Sequence, residues 1–342
     1  LDDLLVFSRQ LATLIDSGIT LVGGLRILIE QVENPRLKEV ITQVRHDVES
    51  GLSFCESLTK HPQIFSPFFI NMVRAGETSG MLDDVLDRVA TYFEKSAALT
   101  RKVRSSLVYP TVVIIMAILI TSVLLLKVVP TFKGIFEMLG GKLPFPTLVL
   151  IAVSDLLKRM FIFVVLGLVG LGFLVRRYIN TEKGRYKFDK LKLRLPVIGM
   201  LFRKVAVARF SRTLSTLVKS GVSILDALSI VAKTAGNKVV EETVNNALSS
   251  VREGEPIAQP LARSGVFPPM VTAMIGVGEQ TGKLEAMLTK IADFYDDQVD
   301  AAVAGLTSMI EPLVIAFLGI IIGGIVIALF LPIFQITQLI GQ

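Results

Sequence analysis

The sequence is poor in the residue types that carry out chemistry. Cys55 is the only cysteine among 342 residues, so no internal disulfide can form, and its place fits a domain kept in a reducing compartment. The two histidines, His46 and His61, have no Cys, Asp or Glu constellation around them at ligand spacing, so no metal and no cofactor is expected. No Gly-rich loop ending in Gly-Lys-Ser or Gly-Lys-Thr is present to cradle a phosphate, and no Gly-x-Ser-x-Gly elbow to expose a nucleophile. Alternating apolar and polar residues, the mark of a half-buried strand, are missing too. These absences leave no candidate catalytic residue of the ordinary kinds and point to an all-α chain.

Charge is scarce where apolar residues are dense. Apolar residues make up 51% of the chain, and its mean hydropathy of +0.62 is too high for an ordinary soluble protein. The excess is concentrated in three runs. VYPTVVIIMAILITSVLLLKVV carries only Lys127, close enough to one end for its ammonium to reach the interface, and marks a first span over 108–130. LLKRMFIFVVLGLVGLGFLV, with Lys158 and Arg159 in its first turns, marks a second over 156–175. LVIAFLGIIIGGIVIALFL has no charge and marks a third over 312–332. Pro110 and Pro130 bracket the first span as Pro312 and Pro332 bracket the third, which reads as a pair of membrane-boundary marks. None of the runs holds an acid or a histidine that could relay protons or bind a coupling ion.

Basic residues near the spans orient them. Arg101, Lys102 and Arg104 precede the first, and a basic segment over 176–203 follows the second, so both flanks are expected in the cytoplasm. The connection over 131–155 and the tail over 333–342 then lie outside. The net charge of +6, from 36 basic and 30 acidic residues, is concentrated in that basic segment. It reads as a topology signal that can also meet anionic membrane lipid, and with no recognition motif present it implies no nucleic acid.

One phrase is written twice. FSRQLATLIDSGI, starting at Phe7, and FSRTLSTLVKSGV, starting at Phe210, share eight of thirteen residues at an offset of 203. Gly51 falls on Gly254 and Leu58 on Leu261. One residue then drops out, and at an offset of 202 GETSG meets GEQTG, Pro110 meets Pro312 and Pro130 meets Pro332. A repeat of about 130 residues exceeds solenoid periods of about 20–50 and marks two duplicated domains. Each copy is a cytoplasmic helical domain, 1–107 and 204–311, followed by an outward span, and the second span returns the chain so that the copies run in parallel.

Within each copy apolar residues recur at helical spacing: Leu4, Phe7, Leu11 and Leu14, then Leu82, Val85, Leu86, Val89 and Phe93, with Leu284, Met287, Leu288, Ile291 and Tyr295 in the second. Breakers at Gly18, Asn34-Pro35, Gly51, Pro62, Pro67 and Gly76 divide the first copy into short amphipathic helices. The most enzyme-like motif is the repeated Gly-Glu-x-x-Gly, made of Gly76, Glu77 and Gly80 in one copy and Gly278, Glu279 and Gly282 in the other. Its structural reading is a tight corner, with Ser79 and Thr281 capping the next helix and Asp83 and Glu285 favouring that helix's positive end. Gly319, Gly323 and Gly324 form a small-residue face in the third span, and Gly167, Gly170 and Gly172 lie in the second. Such faces allow close helix packing within the chain or in a homo-oligomer. Residues that differ between copies are free to serve separate partners. Arg26, Arg36 and Lys38 stand where the second copy has Ser229, Val239 and Glu241, and they are the candidate docking residues.

With duplication, spans and motifs in place, the chain resembles the PilC/GspF inner-membrane platform proteins of type IV pilus and type II secretion machines. The marks are FSRxLxTL with its trailing Ser-Gly in both copies, Gly-Glu-x-x-Gly before a leucine ladder, Glu311-Pro312-Leu313, and LPIF from Leu331 to Phe334. ARFSRTLSTL and GGIVIALFLPIF are nearer the pilus branch. The resemblance implies a bacterial inner-membrane scaffold without chemistry of its own, which couples a cytoplasmic hexameric ATPase to assembly or disassembly of the filament. Implied partners are that ATPase, contacting Arg26, Arg36 and Lys38, pilin or pseudopilin subunits, and inner-membrane alignment proteins. Family members carry a further segment ahead of the first copy, and Leu1 implies that one belongs here. A small transporter or channel subunit is the alternative, since duplicated membrane folds are common there. A membrane-bound hydrolase would rest on Glu77 and Glu279 alone.

Overall fold

Caps and breakers cut the chain into helices where the sequence marks them. The computed structural model describes residues 2–106, 108–138, 144–196 and 198–340. The first copy holds α1 (Asp2–Asp16), α2 (Leu21–Gln31), α3 (Pro35–Glu49), α4 (Phe54–Thr59), α5 (Pro67–Ser79) and α6 (Leu82–Ser106). After it come α7 (Val108–Val123), a π-helical turn over Leu124–Val128, α8 (Val129–Met138), α9 (Phe145–Ile179) and α10 (Glu182–Arg194). The second copy holds α11 (Ile198–Lys219), α12 (Ile224–Thr234), α13 (Lys238–Arg252), α14 (Ala258–Arg263), α15 (Pro269–Thr281) and α16 (Leu284–Ile340). The described residues contain no strand, and the fold is all-α.

The duplication extends to the caps. Asn34 accepts from the N–H groups of Arg36 and Leu37 at the head of α3, and Asn237 from those of Val239 and Val240 at the head of α13. Thr20 and Ser223 cap α2 and α12. The bounds of α2 and α3 recur at an offset of 203, and those of α5 at 202. The register shifts across α4 and the loop after it, 60–66 in one copy and 264–268 in the other.

Residues up to Lys102 and Tyr186–Ala302 form one compact unit. The two copies do not stand as separate beads inside it, because one cluster of buried side chains includes Phe7, Leu11 and Leu86 of the first with Phe210, Leu214 and Leu288 of the second. At the junction Phe68 stacks on Tyr92 with ring centroids 4.0 Å apart, and the Tyr92 hydroxyl and Thr213 Oγ1 share a buried hydrogen bond of 3.0 Å. Arg88 Nη1 donates to the Lys219 carbonyl at 2.5 Å, and Lys102 pairs with Asp300. An amphipathic helix buries one stripe, and in this unit the last helix of the first copy finds part of its cover in the second.

The second unit comprises Val103–Arg185 and the chain from Val303 onward. Among its described residues one small buried cluster joins Leu125, Val129, Ile151, Ile325 and Leu329. Most other described large apolar side chains in it are exposed, among them Ile115, Phe163 and Ile320. Leu82–Gly134 and Leu284–Leu331 are long and apolar enough to cross a membrane. The helix α9 has 35 residues, about 52 Å at 1.5 Å per residue. The expected outer connection, 131–155, contains most of α8 and the first turns of α9, with Lys133 paired to Asp155 at 2.9 Å. Lys142 lies outside the described residues.

The prolines do not end the helices that hold them. Helical backbone continues through Pro110, Pro130, Pro312 and Pro332. A proline inside a helix lacks the N–H that its upstream carbonyl needs, and two side chains of α9 meet that need. In the π turn the Val129 N–H bonds the Leu124 carbonyl, which leaves the Leu125 carbonyl facing Pro130 in the same pattern, and buried Ser154 Oγ donates to it at 2.5 Å. Ala328 stands four residues before Pro332, and buried Thr147 Oγ1 donates to its carbonyl at 2.5 Å. Thr147 and Ser154 are seven residues apart, so one face of α9 serves both helices.

Candidate functional site

The repeated corner is built from a carboxylate and two glycines with different tasks. Glu77 accepts from Phe54 N at 2.6 Å and Cys55 N at 2.9 Å, and Glu279 accepts from Ile257 N at 2.6 Å and Ala258 N at 3.0 Å. In each copy the glutamate near the end of one helix reaches across to the N–H groups at the head of a short helix, where a negative charge is favourable. Both oxygens are committed to backbone donors, which gives the repeated acid a structural role. Ser53 adds a capping box with Glu56 in the first copy, whereas Pro256 occupies the matching place in the second.

Gly80 and Gly282 follow at φ +71° and +68°, the left-handed conformation that closes α5 and α15. Gly76 and Gly278 serve close approach. A Cβ on Gly76 would lie 3.1 Å from Val85 Cβ, and one on Gly278 would lie 2.9 Å from Leu284 Cα. The expected caps by Ser79 and Thr281 are not made. Their hydroxyls donate back to the carbonyls of Ala75 and Val277, because both residues still lie inside α5 and α15, where the carbonyl one turn back is the nearest acceptor.

The doubled phrase is explained by the same kind of contact. Phe7 and Phe210 are core residues, as are Leu11 and Leu214, and Gly18 and Gly221 end the turns at φ +83° and +79°. Arg9 reaches from α1 to α6, donating to both Glu94 oxygens at 2.6 and 2.8 Å, to Asp87 at 2.6 Å and to Thr91 at 3.1 Å. Arg212 makes the equivalent clamp from α11 to α16, pairing with Asp296 and, at 3.0 Å, with Asp293. Neither clamp was identified from the sequence alone. The signal was available, since Glu94 and Asp296 recur at the offset of 202 just as the arginines recur at 203.

The divergent residues do not converge on one spot. Arg26, Arg36 and Lys38 are all exposed. Arg36 donates to Gln63 Oε1 at 2.6 Å and lines a cleft of about 550 Å³, whose wall includes Asn34, Phe68 and Tyr92 with Arg209 of the second copy. Lys38 borders a different, shallower groove with Glu39, Thr42 and His46. Residues two apart on a helix point to different sides, which is why Arg36 and Lys38 part company. Among the described residues no group of His, Cys, Asp or Glu could hold a metal ion.

In the apolar segment Gly319, Gly323 and Gly324 have no described atom within 4 Å of where a Cβ would stand, and the same is true of Gly167, Gly170 and Gly172. These small-residue faces are therefore open within the chain.

The family model for type II secretion system protein F matches this chain twice, over residues 7–130 and 210–332. The type IV pilus assembly protein PilC of Thermus thermophilus is 52% identical over 337 residues, covering 98% of this chain and 83% of that protein. The protein of the same name from Myxococcus xanthus is 47% identical, covering 98% of this chain and 80% of that one. Type II secretion system protein F of Vibrio cholerae is 37% identical, covering 99% and 84%.

Proposed function

The chain belongs to the type II secretion system protein F family, with greater identity to the pilus-assembly relatives above than to the secretion one, and on that premise we propose that it is a non-enzymatic inner-membrane platform. It couples a cytoplasmic hexameric ATPase to the assembly or disassembly of a type IV pilus or pseudopilus, with pilin subunits and alignment proteins as further partners. The observation that carries this reading is the duplicated body with one shared core, encoded next to helices long and apolar enough to cross a membrane. A coupling part needs a stiff body for a motor to grip and spans that lead outward, and it needs no active site. The carboxylates that offered an enzymatic alternative, Glu77 and Glu279, have both oxygens engaged by backbone N–H groups.

The domains 1–107 and 204–311 face the cytoplasm, and spans over 108–130, 156–175 and 312–332 cross the inner membrane. The second span is supported by α9, where Phe163, Leu166, Val169, Leu171, Phe173 and Leu174 are exposed and Arg176 and Arg177 occupy the last turn. Open glycine faces support contact with a second copy.

The test is copurification of the full chain with its ATPase, together with deletion. Filament loss without any solute flux in reconstituted vesicles is the expected result, whereas specific flux would establish the transporter alternative. Cysteines placed at Lys142 and Gln338 should react with an impermeant maleimide added from outside, and one at Lys187 should not. The reverse order of labelling would overturn the topology.

A further inference from the structure

The helix α10 is docked by one face and bare on the other. Asp189, only 4% exposed, accepts from Lys238 N at 2.9 Å at the head of α13, and its carbonyl accepts from Asn237 Nδ2 at 3.4 Å. Leu193 is buried one turn further on. At the far end a Cβ on Gly199 would lie 2.8 Å from the Leu193 carbonyl oxygen, so α11 begins in close contact with the end of α10. At the near end only Asn180 and Thr181 separate α10 from α9, and a Cβ on Gly184 would lie 2.0 Å from the Tyr178 carbonyl oxygen. That corner admits only glycine.

The opposite face holds Lys183, Lys187, Lys190 and Arg194, all exposed, with Leu191 among them at 54% exposure and Leu195 directly after the helix at 40%. Ile198 and Met200, in the first turn of α11, are exposed apolar residues as well. The four cations are three or four residues apart, one helical turn. None of the four cations pairs with a described carboxylate, and Lys190 lies 5.8 Å from the centre of the Tyr186 ring. The helix has two acids: Asp189 is turned into the body, and Glu182 is its first residue. A face that is basic and apolar together, with no acid on it, is complementary to a surface that is anionic and apolar together.

We infer that this face of α10 lies on the anionic cytoplasmic leaflet, with the four cations on lipid headgroups and Leu191 and Leu195 at the acyl boundary. The inference rests on the proposal that α9 crosses the membrane, because the two residues between the helices keep the start of α10 close to the end of that span. The headgroup contact would hold the second copy at the membrane surface by something other than its own span.

The chain contains no tryptophan, so single tryptophans report cleanly. Full-length Leu191→Trp, Phe163→Trp and Val277→Trp are each placed in nanodiscs containing brominated acyl chains, with and without phosphatidylglycerol. Val277 is an exposed residue of α15 and serves as the aqueous control. Leu191→Trp is expected to be quenched several-fold more than Val277→Trp when phosphatidylglycerol is present, and less in phosphatidylcholine alone. Adding Lys183→Gln, Lys187→Gln, Lys190→Gln and Arg194→Gln should remove that lipid dependence while helical circular dichroism is unchanged. Quenching of Leu191→Trp no stronger than the control, with Phe163→Trp strongly quenched, overturns the lipid contact and leaves the face to an acidic protein partner. Equal quenching in both lipids overturns the role of the cations. Absence of quenching at Phe163→Trp overturns the span reading and the inference together.

Discussion

Gly80 and Gly282 have positive φ and nothing within 4 Å of where a Cβ would stand, so a substitution there meets only backbone strain. Alanine at Gly80 is expected to cost about 1–2 kcal/mol and asparagine less, because asparagine tolerates the left-handed conformation. Gly278 is limited by space, since a Cβ would press on Leu284 Cα, so Gly278→Asn should lower the melting temperature more than Gly282→Asn does. Equal losses at the two positions would contradict this division of tasks. Glu279→Ala leaves the N–H groups of Ile257 and Ala258 without their acceptor, at a cost of about 1–3 kcal/mol. The clamp on Glu94 is pH-dependent. Hydrogen bonds from Arg9 hold that carboxyl below the usual carboxylate range against the opposing effect of burial. Its contribution is therefore complete above the unfolded value near 4.3 and is lost as pH falls through the lower folded value. With the carboxylate 44% exposed the effect is screened and amounts to at most about 1 kcal/mol. The difference in melting temperature between the native chain and Glu94→Gln should be present at pH 7 and fade toward pH 3.

At the scale of the element, α9 is fastened to two proline-interrupted helices by two hydroxyls. Removing either leaves a carbonyl without a donor in apolar surroundings, so Ser154→Ala and Thr147→Val are each expected to destabilise the chain in detergent by about 1–3 kcal/mol. A double-mutant cycle gives the sharper check. Pro332→Ala restores the N–H that the Ala328 carbonyl lacks, and in that background Thr147→Val should cost less than in the native chain. Additive losses would mean that the hydroxyl does not replace the missing N–H. Gly323→Leu tests the open glycine face. It should weaken crosslinked oligomers while leaving contacts within the chain undisturbed, since no described atom faces that position.

At the scale of the whole molecule, the shared core makes the two copies one cooperative body. Tyr92→Ala removes the ring that stacks on Phe68 and the hydroxyl that bonds Thr213, and it should speed amide exchange in α11 and α12 as well as in α6. Exchange confined to the first copy would show that the copies unfold independently. Motor docking is tested by separating two residues that the linear sequence groups together. Arg36→Glu acts at the cleft and costs the bond to Gln63, whereas Lys38→Glu acts on the groove of α3 and leaves the cleft untouched. If the cleft receives the ATPase, only Arg36→Glu should weaken its binding and reduce the salt dependence. Unchanged affinity for both variants across a salt series would exclude these residues from docking.

The sequence by itself determined the all-α class, the duplication, the positions of the corners and the apolar runs. These follow from features local along the chain: cap residues, helical periodicity, positive-φ glycines and constant offsets. It also drew attention to Glu77 and Glu279 without disclosing what they hold, because the N–H groups they accept from lie more than twenty residues away. Only the tertiary structure decided that the copies share one core, that the prolines pass through their helices, and that Arg36 and Lys38 face different surfaces. Each of those depends on which surfaces meet. Ser154 and Thr147 read as ordinary polar residues until the carbonyls left bare by the π turn before Pro130 and by Pro332 are brought beside them, and spacing along a chain does not specify which helices will lie together.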